Sequence, residues 1–275
     1  MFRLRDHIIS LVAVFLALGL GILIGTGLAE DMLVTQQRLL IEKMAEDFQS
    51  LNQTRKELEA QIQKLHQDLY LWEKYQEALY PLVVEGVLAQ QKIAILHHDT
   101  SPPPEILEML EDAQAEITAV IGLEGKNFTG ENLVQAGETL AELILGGDPG
   151  SELPELLPVL MAKEAVQIDK YFAVRPDHVL LFLGEREKIK SELLSALVAT
   201  LQNENVSLVG VETSEVKNSC LKEIKKTGAS TIDHADTVFG RYSLLSVLQG
   251  NAGSFGLKET ADEFIATFSK QGREK

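Results

Sequence analysis

The sequence predicts an α/β fold behind two helical segments: a transmembrane helix, a long coiled-coil helix, then a doubly wound, mostly parallel sheet of the Rossmann or flavodoxin-like kind. Three observations predict it. Residues 8–29 carry no charged side chain, residues 30–80 lack glycine and proline while repeating apolar residues at a spacing of 3.5, and from Lys92 short apolar runs alternate with amphipathic helical text.

As a helix, Ile8 to Ala29 is about 33 Å long, enough to cross a hydrocarbon core of about 30 Å. It must be helical, because a lone segment in lipid satisfies its backbone polar groups only by pairing with itself. Arg3 and Arg5 precede the run and Glu30 and Asp31 follow it, so the positive-inside bias keeps residues 1–7 as a cytoplasmic stub and places the rest outside. Gly27-Leu28-Ala29 offers the small residues a signal peptidase reads, which makes a cleaved signal peptide the rival reading. The run exceeds the roughly 7–15 apolar residues of such a peptide and favours a retained signal anchor at 8–29, with membrane lipid as its partner. Within it Ala13, Ala17, Gly21 and Gly25 recur every four residues, a row along which two helices can approach closely.

Residues 30–80 read as one helix, a stalk. Alternating steps of three and four from Val34 meet Ile41, Met44, Phe48, Leu51, Leu58, Ile62, Leu65, Leu69, Trp72 and Leu79, with Gln37, Arg55 and Gln76 the only polar residues on the path. A 3.5-residue period buries one narrow seam against a partner helix in a left-handed supercoil, so self-association through the stalk and the membrane helix is expected. Gln37 and Arg55 would set the register at some cost in stability. The other reading is an amphipathic helix lying back on its own domain.

Pro81 marks the expected end of the stalk, and residues 82–275 form the extracytoplasmic α/β domain, large enough to bury a core without disulfides or metal. Strands are expected at Lys92 to Leu96, Glu116 to Ile121, His178 to Leu183, Val206 to Val211 and Ser230 to Asp233. Helices are expected at Pro104 to Ala115, Glu131 to Leu145, Pro154 to Ala165, Glu187 to Asn203, Val216 to Lys226, Thr237 to Gln249 and Lys258 to Lys270. Gly146-Gly147-Asp148-Pro149-Gly150 reads as a loop that could separate two halves.

With 41 acidic against 25 basic residues the net charge is −16, so nucleic acid is not a partner and the domain is repelled by anionic lipid. The single cysteine, Cys220, excludes an intramolecular disulfide and reads as a small packed residue. No nucleophile elbow, phosphate loop or His-Glu-x-x-His is present, so no enzyme is expected. The candidate site is His97, His98 and Asp99, at the carboxyl end of the first strand, where open α/β sheets bind ligands. Two imidazoles and a carboxylate suit a borderline divalent ion such as Cu(II) or Zn(II), although neighbouring residues seldom face one ion and a solvated polar loop is the plainer reading. Asp233, His234 and Asp236 form a second polar knot, with Asp236 read as the N-cap of the helix starting at Thr237. Gly250 to Gly256, including Ser254, reads as a turn.

The opening, Arg5-Asp6-His7-Ile8-Ile9-Ser10-Leu11-Val12-Ala13-Val14-Phe15-Leu16-Ala17-Leu18-Gly19 with Gly21-Ile22-Leu23-Ile24-Gly25-Thr26-Gly27-Leu28, resembles the N-terminus of the mycobacterial copper-transport protein family, MctB. Ser230-Thr231-Ile232-Asp233, Ala235-Asp236-Thr237, Gly240-Arg241 and Gly253-Ser254-Phe255-Gly256 resemble that family's C-terminal pattern. The resemblance implies a membrane-associated envelope protein of copper efflux or tolerance, with copper as a ligand on that ground alone. One spanning helix encloses no pore, so a channel would need many subunits or another protein. Two alternatives stand beside this reading: a coiled-coil scaffold for other envelope proteins with no metal role, and an α/β domain that binds a small ligand.

Overall fold

The computed structural model describes residues 4–128, 132–147, 156–186 and 190–267, and the side chains of all of these except residue 4 and residues 26–33. It comprises two compact units, Met1–Glu77 and Ala78–Lys275.

Helix α1, Leu4–Val84, runs unbroken through the first unit. Its stretch Arg5–Gly25 has a mean hydropathy of 2.8 and is the one helix among the described residues long and apolar enough to cross a membrane. Pro81 lies inside the last turn of α1, so the helix outlasts the expected break. A proline there gives up one helical hydrogen bond and crowds the carbonyl four residues before it, a cost that packing of the turn offsets. Glu85 N still donates to Pro81 O at 3.0 Å, and buried Val84 and Leu88 hold the turn within the second unit's core.

The second unit is a sheet of seven strands between two helical layers. In chain order it contains β1 (Lys92–His98), α2 (Pro104–Asp112), β2 (Glu116–Leu123), α3 (Leu133–Ile144), α4 (Leu156–Ala162) and β3 (Val166–Tyr171). There follow β4 (His178–Leu183), α5 (Ser191–Asn203), β5 (Ser207–Val211), α6 (Leu221–Lys226), β6 (Ser230–Ile232), α7 (Val238–Leu248) and β7 (Ser254–Phe255). The strand order is β3-β2-β1-β4-β5-β6-β7, parallel except that β3 runs antiparallel to β2. One face buries Ala94, Leu96, Leu181 and Leu183 under residues of α3, α4, α5 and α6. The other buries Ile93, Ile95, Leu180 and Phe182 under α2, α7 and the end of α1. Because successive strand residues point to opposite faces, strands covered on both sides read as continuous apolar runs, as in fully buried His178–Leu183.

All five expected strands form, and two more join them. No element is expected over Val166–Tyr171, where β3 forms, and β7 forms within the turn expected at Gly250 to Gly256. The expected helix at Lys258 to Lys270 is not one among the described residues, which end at Thr267. Its backbone is committed elsewhere: Leu257 N and Lys258 N donate to Asp233, and Asp262 N to Ser254 O. α6 begins five residues late because the amides of Lys217 and Asn218 go to Glu185 and that of Cys220 to Glu212. Residues 148–150 of the expected loop, residues 187–189 and residues 154–155 lie outside the described residues. That loop does not split the domain, since one sheet carries strands from both sides of it.

Candidate functional site

The winding of the sheet reverses between β1 and β4, and the carboxyl ends of the strands there form the position where open α/β sheets place ligands. His97 and His98 close β1, and strand alternation sends them to opposite faces. His97 lies 3.8 Å from Asp169 through Nε2. Burial lowers its pKa from 6.5, with the Asp169 carboxylate pulling the other way. His98 is buried among Leu96, Leu123, Leu183 and Leu194 beside a hollow of about 10 Å³, room for about one water. Its Nδ1 is 3.5 Å from Asp99 Oδ2. Asp99 has a left-handed backbone, φ 51°, and its Oδ1 accepts from Gly125 N at 3.3 Å. The structure therefore joins His98 to Asp99 but sets His97 with Asp169, and no single ion would meet both imidazoles. Among the described residues, no group of three His, Cys, Asp or Glu gathers closely enough to hold a metal.

Asp169 was missed in the sequence, and the reason is a β-bulge. Val120 pairs with Lys170 and Ile121 with Ile168, which leaves Asp169 as the extra residue. A bulge re-aims side chains, and here it sets the carboxylate by His97, where Gln167 Nε2 also donates to it at 2.7 Å.

The second knot is a lock rather than an open site. Asp233, 1% exposed, follows β6 and accepts from the amides of Leu257 at 2.7 Å and Lys258 at 3.0 Å. His234 Nδ1 adds a contact to Asp233 at 2.5 Å. Gly256 is at φ 143°, and a side chain on it would collide with the Asp233 carboxylate. Glu212, in the equivalent place after β5, accepts from Cys220 N at 2.8 Å, Ser219 Oγ at 3.0 Å and Lys258 Nζ at 2.6 Å. Glu212 and Lys258 were invisible in the sequence, because nothing local marks two residues 46 positions apart as partners. Asp236 is not the N-cap of α7. Thr237 is, accepting from Gly240 N at 3.2 Å, while Asp236 takes the amide and hydroxyl of Ser214 at 2.7 and 2.5 Å. Burial pushes the Asp236 pKa up, but those hydrogen bonds outweigh it and hold the carboxyl below the usual range. Glu185 is held low by the amides of Lys217 and Asn218. Burial, with Glu212 nearby, pushes the Cys220 thiol up to about 12, so it is a packed thiol and a poor nucleophile or metal ligand at neutral pH.

The C-terminal residues of the family pattern fall on this lock. Ser230 accepts from Gly253 N at 3.2 Å, Asp233 clamps the chain after Gly256, Asp236 ties down Ser214, and a side chain at Gly240 would collide with His234 O.

Fold and helix together define a class: an apolar helix fit to cross a membrane, a long helix continuous with it, and a mostly parallel α/β domain. One family model, described as copper transport outer membrane protein, MctB, matches residues 1–134 and 129–266. The chain belongs to this family. No curated protein matches it.

Proposed function

We propose that the protein is an anchored component of copper efflux or homeostasis in the cell envelope. Residues 1–7 stay in the cytoplasm, 8–29 cross the membrane, 30–80 form the stalk and 82–275 work outside. The observation that carries this is the family match over nearly the whole chain, together with the apolar helix at Arg5–Gly25. Copper is cargo here, handled by an assembly to which the protein contributes. The family's description supplies the transport role, and a single helix cannot enclose a path by itself.

Deleting the gene should raise cell-associated copper and lower the copper concentration that stops growth. Full-length protein and the His97→Ala variant should restore both, and a chain lacking residues 8–29 should restore neither. Unchanged copper content and tolerance after deletion would overturn the reading. They would leave the scaffold reading, an interaction protein without a metal role, which the exposed apolar seam of the stalk favours.

A further inference from the structure

The seam residues Ile41, Phe48, Leu51, Leu58, Leu65 and Trp72 are each between 52% and 67% exposed, or 68% for Leu51. Side chains of this size repeated over about nine helical turns at a 3.5-residue period are stable in water only when covered. We infer that a second copy of this chain covers them, parallel and in register, through a face turned away from Gly25 at the end of the apolar segment.

Three features select that occupant. A supercoiled seam needs a partner helix with the same 3.5-residue period over the same length, and a copy supplies both. Two copies that enter one membrane by the same segment, Arg5–Gly25, have parallel stalks. Register follows from the polar residues: Gln37, Arg55 and Gln76 meet their own kind only when the copies are aligned, and a slip of one heptad sets Arg55 against Phe48 or Ile62. Arg55 is already satisfied within its own helix by Glu59 at 3.7 Å.

The phase of α1 adds a consequence. Gly25 and Val34 are nine residues apart on one unbroken helix, about two and a half turns at 3.6 residues per turn. Gly25 therefore lies opposite Val34, but each step of four back along the row turns about 40°, which brings Ala13 within about 60° of Val34. Two copies joined by the seam do not also meet at Gly25 while the helix stays straight.

The inference rests on the membrane-anchored part of the proposed function and is independent of copper. Its test uses full-length protein in native membranes, with single cysteines at Leu51→Cys, at Leu65→Cys, or at Ala60→Cys on the outer face of the stalk. Buried Cys220 makes the unsubstituted chain its own blank. Oxidation with diamide should give a disulfide-linked dimer for both seam variants and none for Ala60→Cys. Both seam positions cross-link to themselves only in a parallel, in-register pair. Seam variants that stay monomeric while in the membrane fraction overturn this inference alone. The same holds if Ala60→Cys cross-links as well as they do. A chain absent from the membrane fraction overturns the anchored reading with it.

Discussion

At the scale of single residues, the domain's polar interior is organised around carboxylates just past the ends of neighbouring strands, Glu212 and Asp233. Their role is to hold the last segment. Glu212→Gln keeps one carbonyl oxygen for Cys220 and Ser219 but leaves the Lys258 ammonium without its counter-charge. Removing one member of a buried pair costs about 3–5 kcal/mol, which urea denaturation should read directly. Adding Lys258→Met should return a substantial part, since the lone charge is then gone; a double variant no more stable than the single would refute that account. The histidines give a separate pH signature. Burial lowers His97 and His178 from 6.5, against the opposing pull of Asp169 and Asp177. The unfolded chain then binds protons that the folded one resists, so stability is full above about pH 6.5 and falls as the pH drops toward the folded pKa values. Thermal melts between pH 7.5 and 5 should show that loss, and His178→Gln should shallow it; an unchanged slope would remove His178 as a contributor. Little of this was legible beforehand. Asp233 and Asp236 stood out as polar residues after an apolar run, but their partners Lys258 and Ser214 are distant in sequence and were set by the fold.

At the scale of elements, what could be read depended on how cleanly burial imprinted a period. Strands buried on both faces left unbroken apolar runs, while the long helix was legible from the absence of glycine and proline over residues 30–80. The edge strand β3 left no such run, because the bulge at Asp169 breaks the two-residue alternation of Val166–Tyr171. β7 has two residues between glycines and is a strand only because β6 pairs with it. The segment after it has helical composition, and tertiary hydrogen bonds to Asp233 overrode that propensity. The stalk permits a sharper prediction. A charged residue in a seam trades stability for register, so Arg55→Leu should raise the stalk's melting temperature. It should also let disulfides form between Leu51→Cys on one copy and Leu58→Cys on another, a pairing one heptad out of register. A lower melting temperature would mean that Arg55 and Glu59 contribute more by their ion pair than the seam loses by their polarity.

At the scale of the whole molecule, charge and hydropathy are segregated along the chain. The apolar helix is flanked by Arg3 and Arg5, and the chain that follows gives the protein its net charge of −16. An acidic domain is repelled by anionic headgroups; under the proposed topology, attachment to the membrane falls to the N-terminal helix and orientation to Arg3 and Arg5. A phosphatase that folds only outside the cytoplasm, fused after Lys275, should therefore be active on the native chain. Arg3→Glu with Arg5→Glu removes the positive flank while leaving the apolar run intact, so the helix still inserts but its bias reverses, and most of the phosphatase activity should be lost at equal membrane abundance. An inactive fusion on the native chain would place the α/β domain on the cytoplasmic side, and copper handling would then have to begin from the cytoplasm rather than from the envelope. Full activity in both chains would mean that translocation of the domain is set by something other than the flanking charge, with the acidic pair Glu30 and Asp31 the next residues to reverse.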